Sequence, residues 1–148
     1  MLSESRRQEL IALYRDGLLN NTMPFWLNHA IDRECGGFFN ALDADGTVLT
    51  TDKPIWAHGR FIWMLSTLYN TVEQKAEWLE AAGHGIEFLR KHAFDDDGRM
   101  FFWVTRDGKP LRKRRYIFTE TFGAVAFAAY ARASGDESAA QKAKDLFE

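Results

Sequence analysis

Leu10, Tyr14 and Leu18 stand four residues apart near the start of the chain, with Arg6, Arg7, Arg15 and Asp16 set between them. That spacing predicts a helix over about 5–19 with one apolar face. Ser5 and Gln8, three apart, resemble a capping box at its start. Asn20 and Asn21 mark its end, and a shorter apolar stretch follows at 24–30. Between Gly36 and Leu49 the pattern contracts to two brief runs around Asp45-Gly46, which predicts a hairpin because glycine accepts positive φ at little cost. The same arrangement returns at 98–111 around Asp107-Gly108.

Each hairpin leads into a helix that is apolar on nearly every side. The first runs to about Tyr69 and opens with Pro54, whose missing N–H suits a first helical turn. The second covers about 118–133 and carries Phe118, Phe122, Val125, Phe127 and Tyr130. An amphipathic helix follows each. Thr71 and Gln74 repeat the capping-box spacing, and Trp78, Ala82, Gly85, Ile86 and Leu89 form one stripe beside Glu73, Lys75, Glu80, Glu87 and Arg90. His84 and His92 fall on that helix's polar side or at its end. Gly135 is a stop signal and Asp136 a cap for the last helix, amphipathic through Ala139, Ala143, Leu146 and Phe147.

The two portions align without a gap at an offset of 62: Gly36 falls on Gly98, Phe39 on Phe101, Asp45 on Asp107, Gly46 on Gly108, Leu49 on Leu111 and Ile55 on Ile117. The unit is hairpin, buried helix, half-exposed helix. Such alternation predicts two concentric layers, buried helices inside and amphipathic ones outside. The expected class is all-α: the N-terminal part of an α/α toroid, with short β-hairpins between helix pairs. Residues 1–148 would form a single partial domain of about two and a half units. Repeat arrays bury their faces against neighbours, so a longer chain or a partner is expected to cover the last apolar face.

Composition narrows the function. A hydrophobic content of 46% argues against disorder. A net charge of −2 argues against a general nucleic-acid or acidic-membrane binder. The run Arg112-Lys113-Arg114-Arg115 therefore reads as a solvated loop. Cys35 is the sole cysteine, which excludes an internal disulfide and a Cys-based zinc site. No signal-peptide pattern and no bilayer-spanning apolar run occur, and a cytoplasmic location is expected. Asp43 and Asp45 do not make a calcium loop, because Ala41 stands where its first aspartate would fall and no glutamate closes it.

Trp56, Arg60 and Trp63 lie at i, i+4 and i+7 and share one helix face. An arginine there is costly unless it is partnered. It is either stacked on indole and paired to a carboxylate, or a sugar-binding arginine with aromatic walls.

These residues carry a resemblance. Gly36-Gly37-Phe38-Phe39 through Asp45-Gly46, Lys53 with Trp56, Gly59-Arg60 and Trp63, then Arg106-Asp107-Gly108, and Phe118-Thr119-Glu120 with Phe122 together resemble the N-acylglucosamine 2-epimerase family. Cellobiose 2-epimerases and mannose isomerase are relatives of that family. The resemblance implies an (α/α)6 barrel of which this chain is less than half. It implies proton transfer at C2 of a sugar through an enediolate, most simply exchange of N-acetylglucosamine and N-acetylmannosamine. Arg60 matches the family arginine on the sugar oxygens and is expected to stabilise the oxyanion, and Trp56 to pack on the sugar's apolar face. His58 stands where many members carry glutamine and would contact substrate or fill that space. Glu120 would orient a hydroxyl or pair with Arg60, against the plainer reading of a carboxylate favoured at a helix start. The acid/base histidines are expected beyond Glu148, so this stretch alone would bind without epimerising. No metal or other cofactor is implied; a nucleotide effector such as ATP and a homodimer are known in the family. Two other classes stay open: an (α/α)6 glycoside hydrolase, for which Asp43, Asp45 and Asp107 are poor candidates, and a non-catalytic sugar- or protein-binding module.

Overall fold

A computed structural model describes residues 2–113 and 117–148. The first helix, α1 (Glu4–Gly17), is capped by Ser3, whose Oγ accepts from Arg6 N at 3.2 Å. The cap is thus two residues earlier than Ser5, and the Gln8 amide donates to Glu4. Helix α1 buries none of its residues, and Tyr14 is 73% exposed. Asn20 and Asn21 do not end it. The chain widens into a π-helical turn, Leu18–Thr22, and runs on into α2 (Met23–His29).

Strands β1 (Ala41–Leu42) and β2 (Val48–Thr50) form the first hairpin, and β4 (Phe101–Val104) and β5 (Pro110–Lys113) the second. Between them, β3 (Lys53–Pro54) pairs antiparallel with β4, Lys53 opposite Val104 and Pro54 opposite Trp103. Proline suits this edge position, where no ladder N–H is needed. The two hairpin regions are thereby joined through the segment that launches the first buried helix. The charge run Arg112–Arg115 lies partly outside the described residues; Arg112 and Lys113 are exposed.

Helix α3 (Ile55–Thr71) packs against both α4 (Ala76–His92) and α5 (Phe118–Ser134), and α5 against α6 (Glu137–Phe147). Ile62 and Leu65 of α3, Ile86 and Leu89 of α4 and Phe127 of α5 are fully buried at the centre. Each such side chain contributes about 1.5–3 kcal/mol. The predicted α4 stripe is the buried one. Its start is later than expected, since Lys75 is the N-cap, and Thr71 instead ends α3 with its hydroxyl on Thr67 O. Gly135 (φ +76) closes α5, and the Asp136 carboxylate accepts from Ala139 N at 2.9 Å to open α6. Gly59 lets α3 and α5 approach closely: a Cβ there would meet Phe122 O at 2.7 Å.

Candidate functional site

One face of α3 borders a cavity of about 360 Å³. Trp56, Arg60, Trp63 and Met64 project from that face, Trp26 of α2 flanks it, and Phe38, Phe39 and Asn40 form the opposite wall. Arg60 is exposed and makes no hydrogen bond or ion pair among the described residues. The alternative of an arginine stacked on indole and paired to a carboxylate is not met among the described residues: the guanidinium bears no desolvation cost because its face of α3 is open. Trp56 packs instead on Phe118 and Phe122 of α5, ring centroids 5.6 and 5.9 Å away. The result is a free cation above an aromatic surface, suited to the oxygens of a neutral polyol whose C–H face lies on the rings.

His58 also lines the cavity, yet its ring is 1% exposed and both nitrogens are spent on backbone. Phe38 N donates to Nε2 at 2.9 Å, so Nε2 must carry the lone pair. Nδ1 then carries the proton and donates to Pro54 O at 3.1 Å. Burial, followed by the positive charge of Lys53 and the neighbouring His84, holds its pKa down at about 3. The imidazole stays neutral and acts as a latch on the Phe38 wall.

Glu120 does not line the cavity. Its Oε1 accepts from Arg99 Nε at 3.1 Å and Met100 N at 3.3 Å, so the expected pairing with Arg60 is corrected to Arg99. His58 and Glu120 stand 62 residues apart, as do Phe38 and Met100. The two side chains therefore do the same work, each accepting the N–H that precedes its hairpin. The other three histidines hold backbone and turns. His84 Nε2 donates to Gly37 O at 3.1 Å, while His29 and His92 lie over Gly46 and Gly108. None of these three borders the cavity.

Asp32 carries no signal in the residue pattern around it. It is 1% exposed and binds Lys53 Nζ and the Arg106 guanidinium. Burial raises its pKa, but hydrogen bonds from Arg106 and Lys53 outweigh that and hold the carboxyl well below its usual range. Lys53 is shifted down, chiefly by burial.

Paired layers of helices launched by hairpins, with a cation-bearing aromatic cavity on the inner helix, define part of an (α/α)6 barrel of the sugar-epimerase type. The family model for N-acylglucosamine 2-epimerase (GlcNAc 2-epimerase) matches residues 37–148, and the chain belongs to that family. The N-acylglucosamine 2-epimerase of Bos taurus is 35% identical over 150 residues, covering 97% of this chain and 36% of that one. A cellobiose 2-epimerase of Ruminococcus albus is 33% identical over 142 residues, 94% of this chain and 36% of that one. The solved cellobiose 2-epimerase of Spirochaeta thermophila DSM 6192 superposes with a TM-score of 0.87 at 29% identity, over 97% of this chain and 36% of that one. The chain thus spans about a third of the length of these relatives. No described helix is long and apolar enough to cross a membrane.

Proposed function

We propose that the intact protein is a sugar 2-epimerase interconverting N-acetylglucosamine and N-acetylmannosamine, and that this stretch supplies its substrate-binding wall. The observation that carries the reading is the uncommitted guanidinium of Arg60 in the aromatic cavity. Proton removal next to a sugar carbonyl places negative charge on the carbonyl oxygen, and a cation on the cavity wall stabilises that charge. Trp56 takes the sugar's apolar face. His58 and Glu120 act behind the wall, latching the hairpins. The acid/base histidines, needed on opposite faces of C2, are assigned to the two thirds of the relatives' length that this chain does not span. No metal or other cofactor is assigned. A nucleotide effector such as ATP, a homodimer and a cytoplasmic location belong to the same reading.

The Ruminococcus relative favours one second reading, a cellobiose 2-epimerase acting by the same chemistry on a disaccharide. The hydrolase reading draws no support from this stretch: among the described residues no carboxylate borders the cavity. Asp43, Asp45 and Asp107 are engaged in their own turns. The intact protein, incubated with N-acetylmannosamine in deuterated water, is expected to incorporate deuterium at C2, and Arg60→Ala to lower kcat/KM by about 10²–10³-fold. Absence of deuterium at C2 ends the proton-transfer reading for that sugar; incorporation with cellobiose alone selects the second.

A further inference from the structure

Three segments converge on the Asp32 carboxylate between α2 and the first hairpin. Lys53 Nζ, itself fully buried, donates to Oδ2 at 2.9 Å. Arg106, from the turn of the second hairpin, grips both oxygens, Nε on Oδ2 at 2.8 Å and Nη2 on Oδ1 at 3.0 Å. The N–H groups of Glu34 and Cys35 donate to Oδ1 at 3.1 and 3.2 Å. Lys53 places its two remaining donors on the carbonyls of Gly36 at 2.6 Å and Arg106 at 2.8 Å, which exhausts the ammonium. Glu34 Oε2, 2.8 Å from Arg106 Nη2, supplies the second negative charge.

This clasp lies behind the cavity without lining it. Gly36 leads directly into Gly37, Phe38 and Phe39, and the two phenylalanines are cavity wall. The backbone is held at three consecutive residues: Gly36 O by Lys53, Gly37 O by His84, Phe38 N by His58. Arg106 and Lys53 then sit 5.3 and 5.7 Å from the Phe39 ring centroid. A buried ion cluster is weak ground for stability, because well-packed apolar residues often do as well. What its fixed directions do supply is geometry, and here the geometry belongs to one wall.

We propose that the Asp32–Lys53–Arg106 clasp positions the Phe38–Phe39 wall and so sets the cavity's grip on its ligand. Arg106, on a hairpin outside the cavity, is then a positioning residue for the binding step. The proposal rests on the sugar reading of the cavity. Its test uses the intact protein with Arg106→Gln, Arg106→Lys and, as a control in the same turn, Lys109→Gln. Amide hydrogen exchange is read at residues 36–39 and in α4, and KM and kcat are measured with N-acetylmannosamine. Arg106→Gln is expected to speed exchange at Phe38 and Phe39 about tenfold relative to α4. It should raise KM about tenfold with kcat changed less than about twofold, the pattern of lost uniform binding. Arg106→Lys keeps the charge but loses the fork and recovers part of both; Lys109→Gln changes neither. Exchange at 36–39 no faster in Arg106→Gln than in Lys109→Gln overturns the proposal whatever the kinetics show. So does an unchanged KM in Arg106→Gln when Arg60→Ala lowers kcat/KM. If Arg60→Ala leaves kcat/KM unchanged, the sugar reading falls instead, and exchange alone decides the clasp.

Discussion

The two hairpin-led units are wired alike and charged differently. Phe25, His29, Ala30 and Asp32 of the first correspond to Phe88, His92, Ala93 and Asp95 of the second. In each, the phenylalanine ring contacts the histidine four residues on, and the histidine covers the turn glycine. In each, the alanine carbonyl accepts from the hairpin phenylalanine, Phe39 or Phe101. Where the units share a position, the residue is scaffold. The cavity residues are among those where they part: the place of Arg60 on α3 is taken by Phe122 on α5, and that of Trp63 by Val125. The aspartates part as well. Asp32 is sealed between two cations, one from the neighbouring unit, whereas Asp95 meets Lys113 at the surface.

Breaking that last difference should have the largest effect. Asp32→Asn strands Lys53 and Arg106 and is expected to cost about 3–5 kcal/mol in urea unfolding, the usual result of breaking a buried pair. Asp95→Asn should cost far less, and equal losses would remove the distinction between the units. Next comes acid. The folded pKa of His58, about 3, lies below its ordinary 6.5, so the unfolded chain takes up the proton first. Stability is complete above about pH 6.5 and is lost towards pH 3 at up to about 1.4 kcal/mol per pH unit. Asp32 adds its own loss only below its ordinary 3.8, since its folded carboxyl is depressed. His92, lowered chiefly by burial, adds to the slope with the same sign. His58→Gln, which keeps an acceptor for Phe38 N without titrating, should flatten the profile of unfolding midpoint against pH. The smallest effect tests the likeness. Gly46→Ala and Gly108→Ala each force a Cβ into positive φ beneath a histidine and should each cost about 1–2 kcal/mol. Losses that differ by more than about twofold would show that the shared wiring carries unequal load.

Signals confined to a few residues were legible in the sequence. Asp-Gly turns placed both hairpins, Gly135 and Asp136 placed the α5–α6 junction, and the α4 stripe named its own buried face. The Asn20-Asn21 pair misled because a π-helical turn accommodates polar residues that a helix end would also favour. The histidine motif stayed hidden because it repeats at 63 while the hairpins repeat at 62, the loop from Asp95 to Gly98 being one residue shorter than that from Asp32 to Gly36. Asp32 was silent for another reason. Its cations lie 21 and 74 residues away, and no local pattern announces a partner at that distance. Arg60 was found, but its exposure was not, since periodicity reports a face and not what stands opposite it.

The reach of Arg106 has a consequence on the ribosome. The first hairpin emerges well before the residue that completes its clasp. At roughly 5–20 residues per second, about 4–15 s separate the synthesis of Asp32 from that of Arg106. During that interval the carboxylate lacks the Arg106 fork, and the segment leading to Phe38 is held by fewer ties. Translation of the second hairpin is thus the event that permits the first to set.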